Sequence, residues 1–238
     1  MLLDTMSSKE ITTYLEPVRE KIKNYAASIA KRACKKAKKN VWLNLGVKHI
    51  TYQNELFYFV TKAMRFKKGR YDGTDVVCLS YCMLTRSNGS RYVLQFEVDY
   101  SKVLRTYEIH LFQRYRERFL KDPSLDLWTT IHKFFENNDS PGIIHKGTEG
   151  YATIINSGVI LSNEVLDVLA PIVVYKYKTF ISQQMLFEDQ DSWNRDGFYK
   201  EFIDSKLKLF YEGGPDYIEH IDRQMNISID SLHKASKP

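Results

Sequence analysis

The sequence predicts an α+β protein: an antiparallel sheet of about five or six strands, helices packed mainly on one face, and a long N-terminal helix. Three observations carry this expectation. Residues 8–39 repeat apolar side chains at three- and four-residue spacing (Ile11, Tyr14, Leu15, Val18, Ile22, Tyr25, Ala26, Ile29, Ala33), the period of an amphipathic helix. Residues 75–86 and 91–99 are strand-like runs joined by SNGS at 87–90, and Asn-Gly tolerates the positive φ of a type I′ turn. Short β-branched runs separated by turn residues then recur between 143 and 181.

Ser7 or Ser8 with Glu10 marks the start of the first helix, and Pro17 is a point where it can restart. Its end is cationic: Lys31, Arg32, Lys35, Lys36, Lys38 and Lys39. Cations suit a helix C-terminus through the macrodipole, so this cluster is read either as a solvated helix end or as a phosphate-contacting patch. Residues 41–66 are dense in aromatic and β-branched side chains, including Trp42, Tyr52, Phe57 and Val60, without a clean period. Helices are expected over 109–121, ended by Asp122-Pro123, and over 124–137 with Ser124 as the cap and Leu127, Trp128, Ile131, Phe134 and Phe135 as the buried stripe. NNDSPG at 137–142 is a turn, and strands follow at 143–146, 151–155, 158–161 and 171–181. In the last strand Val173, Tyr175, Tyr177, Thr179 and Ile181 alternate with Val174, Lys176, Lys178 and Phe180. Residues 183–211 read as a partly amphipathic helix, ended by Gly213-Gly214-Pro215. The organisation expected is a basic helical segment at 1–40, an α+β domain at 41–212 and a C-terminal tail at 213–238.

Composition narrows the class. Hydrophobic residues make up 43% and charged residues 27% of the 238, an ordinary globular balance. The 16 Tyr and 13 Phe supply strand and core residues, and also flat surfaces for base stacking. The net charge of +6 is compatible with a polyanionic partner without requiring one. Cys34, Cys78 and Cys82 show no ligand spacing, so they read as reduced thiols of a cytoplasmic protein without a metal or cofactor. No secretory signal and no run of 18 apolar residues is present, so no membrane association is expected.

The most informative stretch is 107–119, YEIHLFQRYRERF. At about 100° per residue, His110, Arg114, Glu117 and Arg118 share one helix face, while Leu111, Phe112, Tyr115 and Phe119 form the core side. A histidine that titrates near neutrality beside guanidinium forks suits phosphodiester chemistry. The same pattern also describes a surface face laced by Arg114–Glu117 and Glu117–His110 contacts of a few tenths of a kcal/mol. His132 reads as a structural histidine of its helix. His145 is a second acid/base if its strand faces His110, and His49, His220 and His233 lack supporting company. GTEG at 147–150 is too short for a phosphate loop, and Glu188, Asp189 and Asp191 read as a solvated acidic loop.

His-x3-Arg-x-Arg-x-Arg-Phe on a helix, then a second helix, a turn, short strands and a late strand bearing Lys178-Thr179-Phe180, resembles the barnase–EndoU–colicin–RelE group of RNase-like folds. The resemblance spans about residues 105–186. It implies His110 as general base or acid, Arg114 on the phosphate, and Thr179, with Ser182 as the alternative, as the hydroxyl of the site. The third basic residue falls at Arg116 or Arg118. The implied activity is metal-independent, toxin-type cleavage of RNA, with Arg114 and Arg118 steadying the phosphorane, the Lys31, Arg32, Lys35, Lys36, Lys38 and Lys39 cluster gathering the backbone, and a neutralising protein as a possible partner. The alternative is a non-catalytic nucleic-acid or protein-binding module from a bacterium, phage or mobile element. The sequence leaves the oligomeric state open.

Overall fold

Strands β1 (Trp42–Tyr52), β2 (Glu55–Lys68), β3 (Tyr71–Thr85), β4 (Arg91–Glu97) and β5 (Val103–Glu108) follow one another as an antiparallel meander. A second meander is built from β6 (Ile143–Lys146), β7 (Tyr151–Ile155), β8 (Gly158–Asp167) and β9 (Ile172–Ser182). In this computed structural model the two join where β5 pairs with β9 in parallel. Among the described residues (2, 5–35, 37–38, 40–68, 71–99, 103–138, 143–146, 151–167 and 172–182) the result is one nine-stranded mixed sheet, ordered β1-β2-β3-β4-β5-β9-β8-β7-β6. The α+β class and the N-terminal helix match expectation; the strands are more numerous than five or six. The expected helix at 183–211 and tail at 213–238 lie outside the described residues. Residues Met1–Met185 group as one unit.

Helix α1 (Ser8–Cys34) begins with a capping box, in which the Ser7 hydroxyl accepts from the Glu10 amide and Glu10 returns a bond to the Ser7 amide. It runs through Pro17 without restarting. An interior proline costs about 3 kcal/mol. Leu15, Val18 and Ile22 are completely buried around it, and at roughly 1.5–3 kcal/mol each their burial outweighs that cost. Buried Arg19 then ties the same stretch to the sheet, donating to the carbonyls of Thr12 at 3.2 Å and Glu97 at 3.0 Å. The helix stops at Cys34 instead of reaching 39, and Asn40 turns the chain with φ 58°.

The aperiodic 41–66 stretch contains a hairpin. Gln53 and Asn54, at φ 47° and 66°, form its two-residue turn, and Tyr52 pairs with Glu55. At the expected Asn-Gly turn, only Gly89 has positive φ (81°); the Gly89 amide donates to the Arg86 carbonyl and the Arg86 amide to Ser90. This is a type I turn followed by a left-handed glycine, not a type I′ turn.

Both sheet faces are covered. On one side α1 packs against Phe57, Phe59, Cys82, Leu94, Phe96 and Leu104. On the other, helices α2 (Ile109–Tyr115) and α3 (Leu127–Asn137) pack against Tyr81, Val93, Tyr107, Tyr177 and Phe180. α3 is capped by Asp126, whose carboxylate accepts from the Thr129 amide at 3.0 Å; Ser124, the expected cap, bonds Asp122 instead. The end of α3 is stitched to the β7–β8 turn, where Asn138 accepts from the Ser157 amide and hydroxyl at 3.1 and 2.9 Å.

The last strand departs from simple alternation. The β8–β9 register shifts between Leu161 and Ser162, leaving Lys178 as an extra residue. Tyr177 and Phe180 therefore both face α2 and α3, and Thr179, paired with Leu161, takes the opposite face.

A methyl group added at Gly158, which has φ 153°, would lie 2.3 Å from the Ile181 carbonyl oxygen. Gly158→Ala is expected to cost about 2 kcal/mol or more and to lower the melting temperature by roughly 5 °C. A thermal melt indistinguishable from wild type would contradict this packing.

Candidate nucleic-acid interface

His110 enters its helix straight from β5. The residue before the helix, Glu108, supplies no side-chain cap, and its carboxylate is held by both terminal nitrogens of Arg86, at 2.6 and 3.0 Å. Arg86 in turn lies over the Tyr92 ring at 4.5 Å. The β3–β4 turn thus fixes the β5–α2 junction. His110 is exposed there, and its Nε2 accepts from Arg114 Nε at 3.2 Å. Arg114 also lies 3.3 Å from Glu117, an exposed pair of small energetic weight.

After Tyr115 the helix becomes a π turn, Arg116–Leu120, which Lys121 ends in the left-handed region at φ 52°. A π turn inserts one residue, so the side chains beyond it rotate by up to about 100° relative to a continued α-helix. Leu120 moves towards the core, and Phe119, expected inside, is 41% exposed. Arg118 leaves the His110 face, its Nη1 donating to the Phe180 carbonyl at 2.7 Å. Arg116 binds the Leu125 carbonyl at 2.9 Å. Both arginines that could have served as the third basic residue therefore bind main-chain carbonyls.

The structure brings His110, Arg114 and Glu117 together and separates them from Thr179, which lies across the sheet. Ser182 shares the α2 face with Phe180 but is buried. The side chain of His145, the 147–150 segment and the residues Glu188, Asp189, Asp191, His220 and His233 lie outside the described residues. Burial pushes the Cys78 thiol up to about 12 and that of Cys82 higher still.

The cationic cluster takes a form the helix pattern did not foretell. Lys31 and Arg32 lie in the last turn of α1, while Lys35 and Lys38 follow its end, and all four are exposed. Lys36 and Lys39 lie outside the described residues. Arg65 of β2 joins them: its Nη1 is 3.5 Å from the Lys35 carbonyl, and its own carbonyl accepts from the Asn40 amide at 2.7 Å. Among the described residues no carboxylate pairs with Lys31, Arg32, Lys35 or Lys38. The signal for this was available as a charge count along the chain. Residues 21–70 hold fourteen of the 35 basic side chains and one acidic residue, Glu55.

Two polar clusters escaped the sequence pattern. Arg105 is buried beneath α3 and pairs with Glu97 at 2.7 Å. Beside it the Tyr107 hydroxyl donates to Gln95, and Thr153 to the Tyr177 hydroxyl at 3.4 Å. Gln95, Arg105, Tyr107, Thr153 and Tyr177 line a cavity of about 20 Å³, room for one water. His132 is half-buried between Tyr58 and Trp128, with Nδ1 2.7 Å from the Tyr81 hydroxyl. Its role is structural, as its position on α3 suggested.

Compared with known proteins, the chain matches no protein-family profile, no curated protein and no solved structure.

Burial holds His132 below its ordinary value of 6.5, against an opposing pull from Asp126. Above pH 6.5 the imidazole is neutral folded or unfolded, and its contribution is complete. As pH falls below 6.5 the unfolded chain takes up the proton first, so stability falls until the folded imidazole also protonates. Denaturant unfolding between pH 7 and 5 is expected to show this loss, and His132→Gln to flatten it. Equal slopes for the two proteins would rule out His132 as the source.

Proposed function

We propose that the protein is a non-catalytic nucleic-acid-binding module that holds the phosphate backbone at the cationic end of α1. The observation that carries this is the convergence of Lys31, Arg32, Lys35 and Lys38 with Arg65 of β2, in the part of the chain where Glu55 is the sole acid. The macrodipole accounts for cations in the last helical turn, at about 0.3–1 kcal/mol each. It does not account for Lys35 and Lys38 beyond the helix, or for an arginine brought in by a strand. Like charges held within a Debye length of about 10 Å repel one another, and a phosphate backbone relieves that repulsion while releasing its own counterions.

Cleavage would require more. A ribonuclease built on His110 needs a hydroxyl beside it and a guanidinium open to the phosphate, whereas Thr179 faces away and Arg118 is bound to the Phe180 carbonyl. Binding needs only the positive surface.

Fluorescence anisotropy with labelled RNA, in EDTA, tests this. Affinity is expected to fall on the order of 10²-fold between 50 and 200 mM salt. The triple variant Lys31→Gln, Arg32→Gln, Lys35→Gln should bind more weakly and lose about three from the salt slope, while the RNA stays intact. Salt-independent binding, or a triple variant that binds as wild type does, would refute the interface. RNA cleavage that disappears in a folded His110→Ala protein would replace binding with catalysis.

A further inference from the structure

Phe119 is one of four large apolar side chains that stand exposed among the described residues, with Tyr25, Val41 and Leu56. A single exposed aromatic is ordinary on a protein surface. Phe119 differs because the backbone has changed its helix type to place it there. It lies within the π turn Arg116–Leu120, where it still packs on Tyr115 while 41% of it is open to solvent. Single π turns occur often at functional sites, where they re-aim a side chain.

The ring is also held in place. It stacks on Tyr115, with centroids 5.0 Å apart and planes 19° from parallel, and meets Phe180 edge-on at 6.5 Å. Tyr115 and Phe180 are completely buried. Phe119 thus ends a rigid aromatic stack whose outermost member is partly open to solvent. Arg114 and His110 lie up the same helix, linked at 3.2 Å. The nearby carboxylate, Glu117, makes only a half-exposed pair with Arg114, which a phosphate can displace.

We propose that Phe119 is a base-stacking residue for single-stranded nucleic acid, with Arg114 and His110 contacting the adjoining phosphate. This rests on the nucleic-acid function above and narrows it. Every base offers a π-face, so such a platform is tolerant of sequence; in a duplex the bases are already stacked and cannot reach it. The platform and the cationic end of α1 lie on opposite faces of the sheet, so the two can be perturbed independently.

The experiment compares a short labelled RNA single strand with its duplex, using wild type, Phe119→Ala, Phe119→Trp and the α1 triple variant. Phe119→Ala is expected to weaken single-strand binding about tenfold or more and to leave duplex binding unchanged. Phe119→Trp should keep single-strand binding, and its added emission should be quenched by the strand and not by the duplex. Wild-type single-strand affinity in Phe119→Ala, or Phe119→Trp emission unmoved by saturating strand, overturns the stacking role even if the triple variant still loses binding. If wild type binds neither RNA form, the nucleic-acid function itself fails and the stacking role with it.

Discussion

The pairing of β5 with β9 is the constraint on which the rest of the structure depends. Each half of the sheet is a simple antiparallel meander, β1 to β5 and β6 to β9, whose neighbours in sequence are neighbours in space. The seam between them is parallel, from Val103–Val173 to Tyr107–Tyr177. A parallel pair cannot be closed by a hairpin; the chain must cross over the sheet to return in the same direction. Everything from Ile109 to β8 forms that crossover. This places α2 and α3 over the seam and brings His110 to the end of β5, and the Arg118 bond to the Phe180 carbonyl is one of its anchors on β9.

The seam explains the buried polar groups as well. Arg105, Tyr107 and Tyr177 belong to the two strands that meet there, and Gln95 and Glu97 to β4 beside them. An arginine at such a depth is costly unless its charge is paired and its donors are occupied. Glu97 supplies the pair, and Tyr107 with Gln95 satisfies two further polar groups in the same layer. Replacing one member would strand its partner, so the cluster fixes β4 against β5 beside the seam. Apolar packing alone allows more than one register, because Tyr and Phe side chains adapt to many neighbours.

The legible parts of the sequence were those governed by one dominant rule. α1 and α3 show a single apolar stripe because each has one covered face, and the 75–99 hairpin stands out through its Gly89 turn. The 41–66 region was opaque because β1 and β2 contribute to the cores on both sides of the sheet, which erases the two-residue alternation. Its turn, Gln53-Asn54, holds two left-handed residues without glycine. Around the candidate site the chain departs from simple periodicity at two single-residue insertions. The π turn after Tyr115 left Phe119 partly exposed, with Leu120 packed against the core, and removed Arg118 from the His110 face. The bulge at Lys178 sent Thr179 to the far side of the sheet. A periodic reading is correct up to such an insertion and one residue out of phase after it.

The cationic end of α1 raises a question of balance that the fold answers in part. Lys31, Arg32, Lys35, Lys38 and Arg65 repel one another, and among the described residues no carboxylate is paired with the four that lie on or after the helix. The small side chains Ala30, Cys34 and Ala63 pack together beneath the helix end, on the sheet. The partial negative charge of the helix terminus offsets only the nearest two. A polyanion at that surface would lessen the repulsion among these cations. By linkage it must then stabilise the fold by the same free energy with which folding assembles its site.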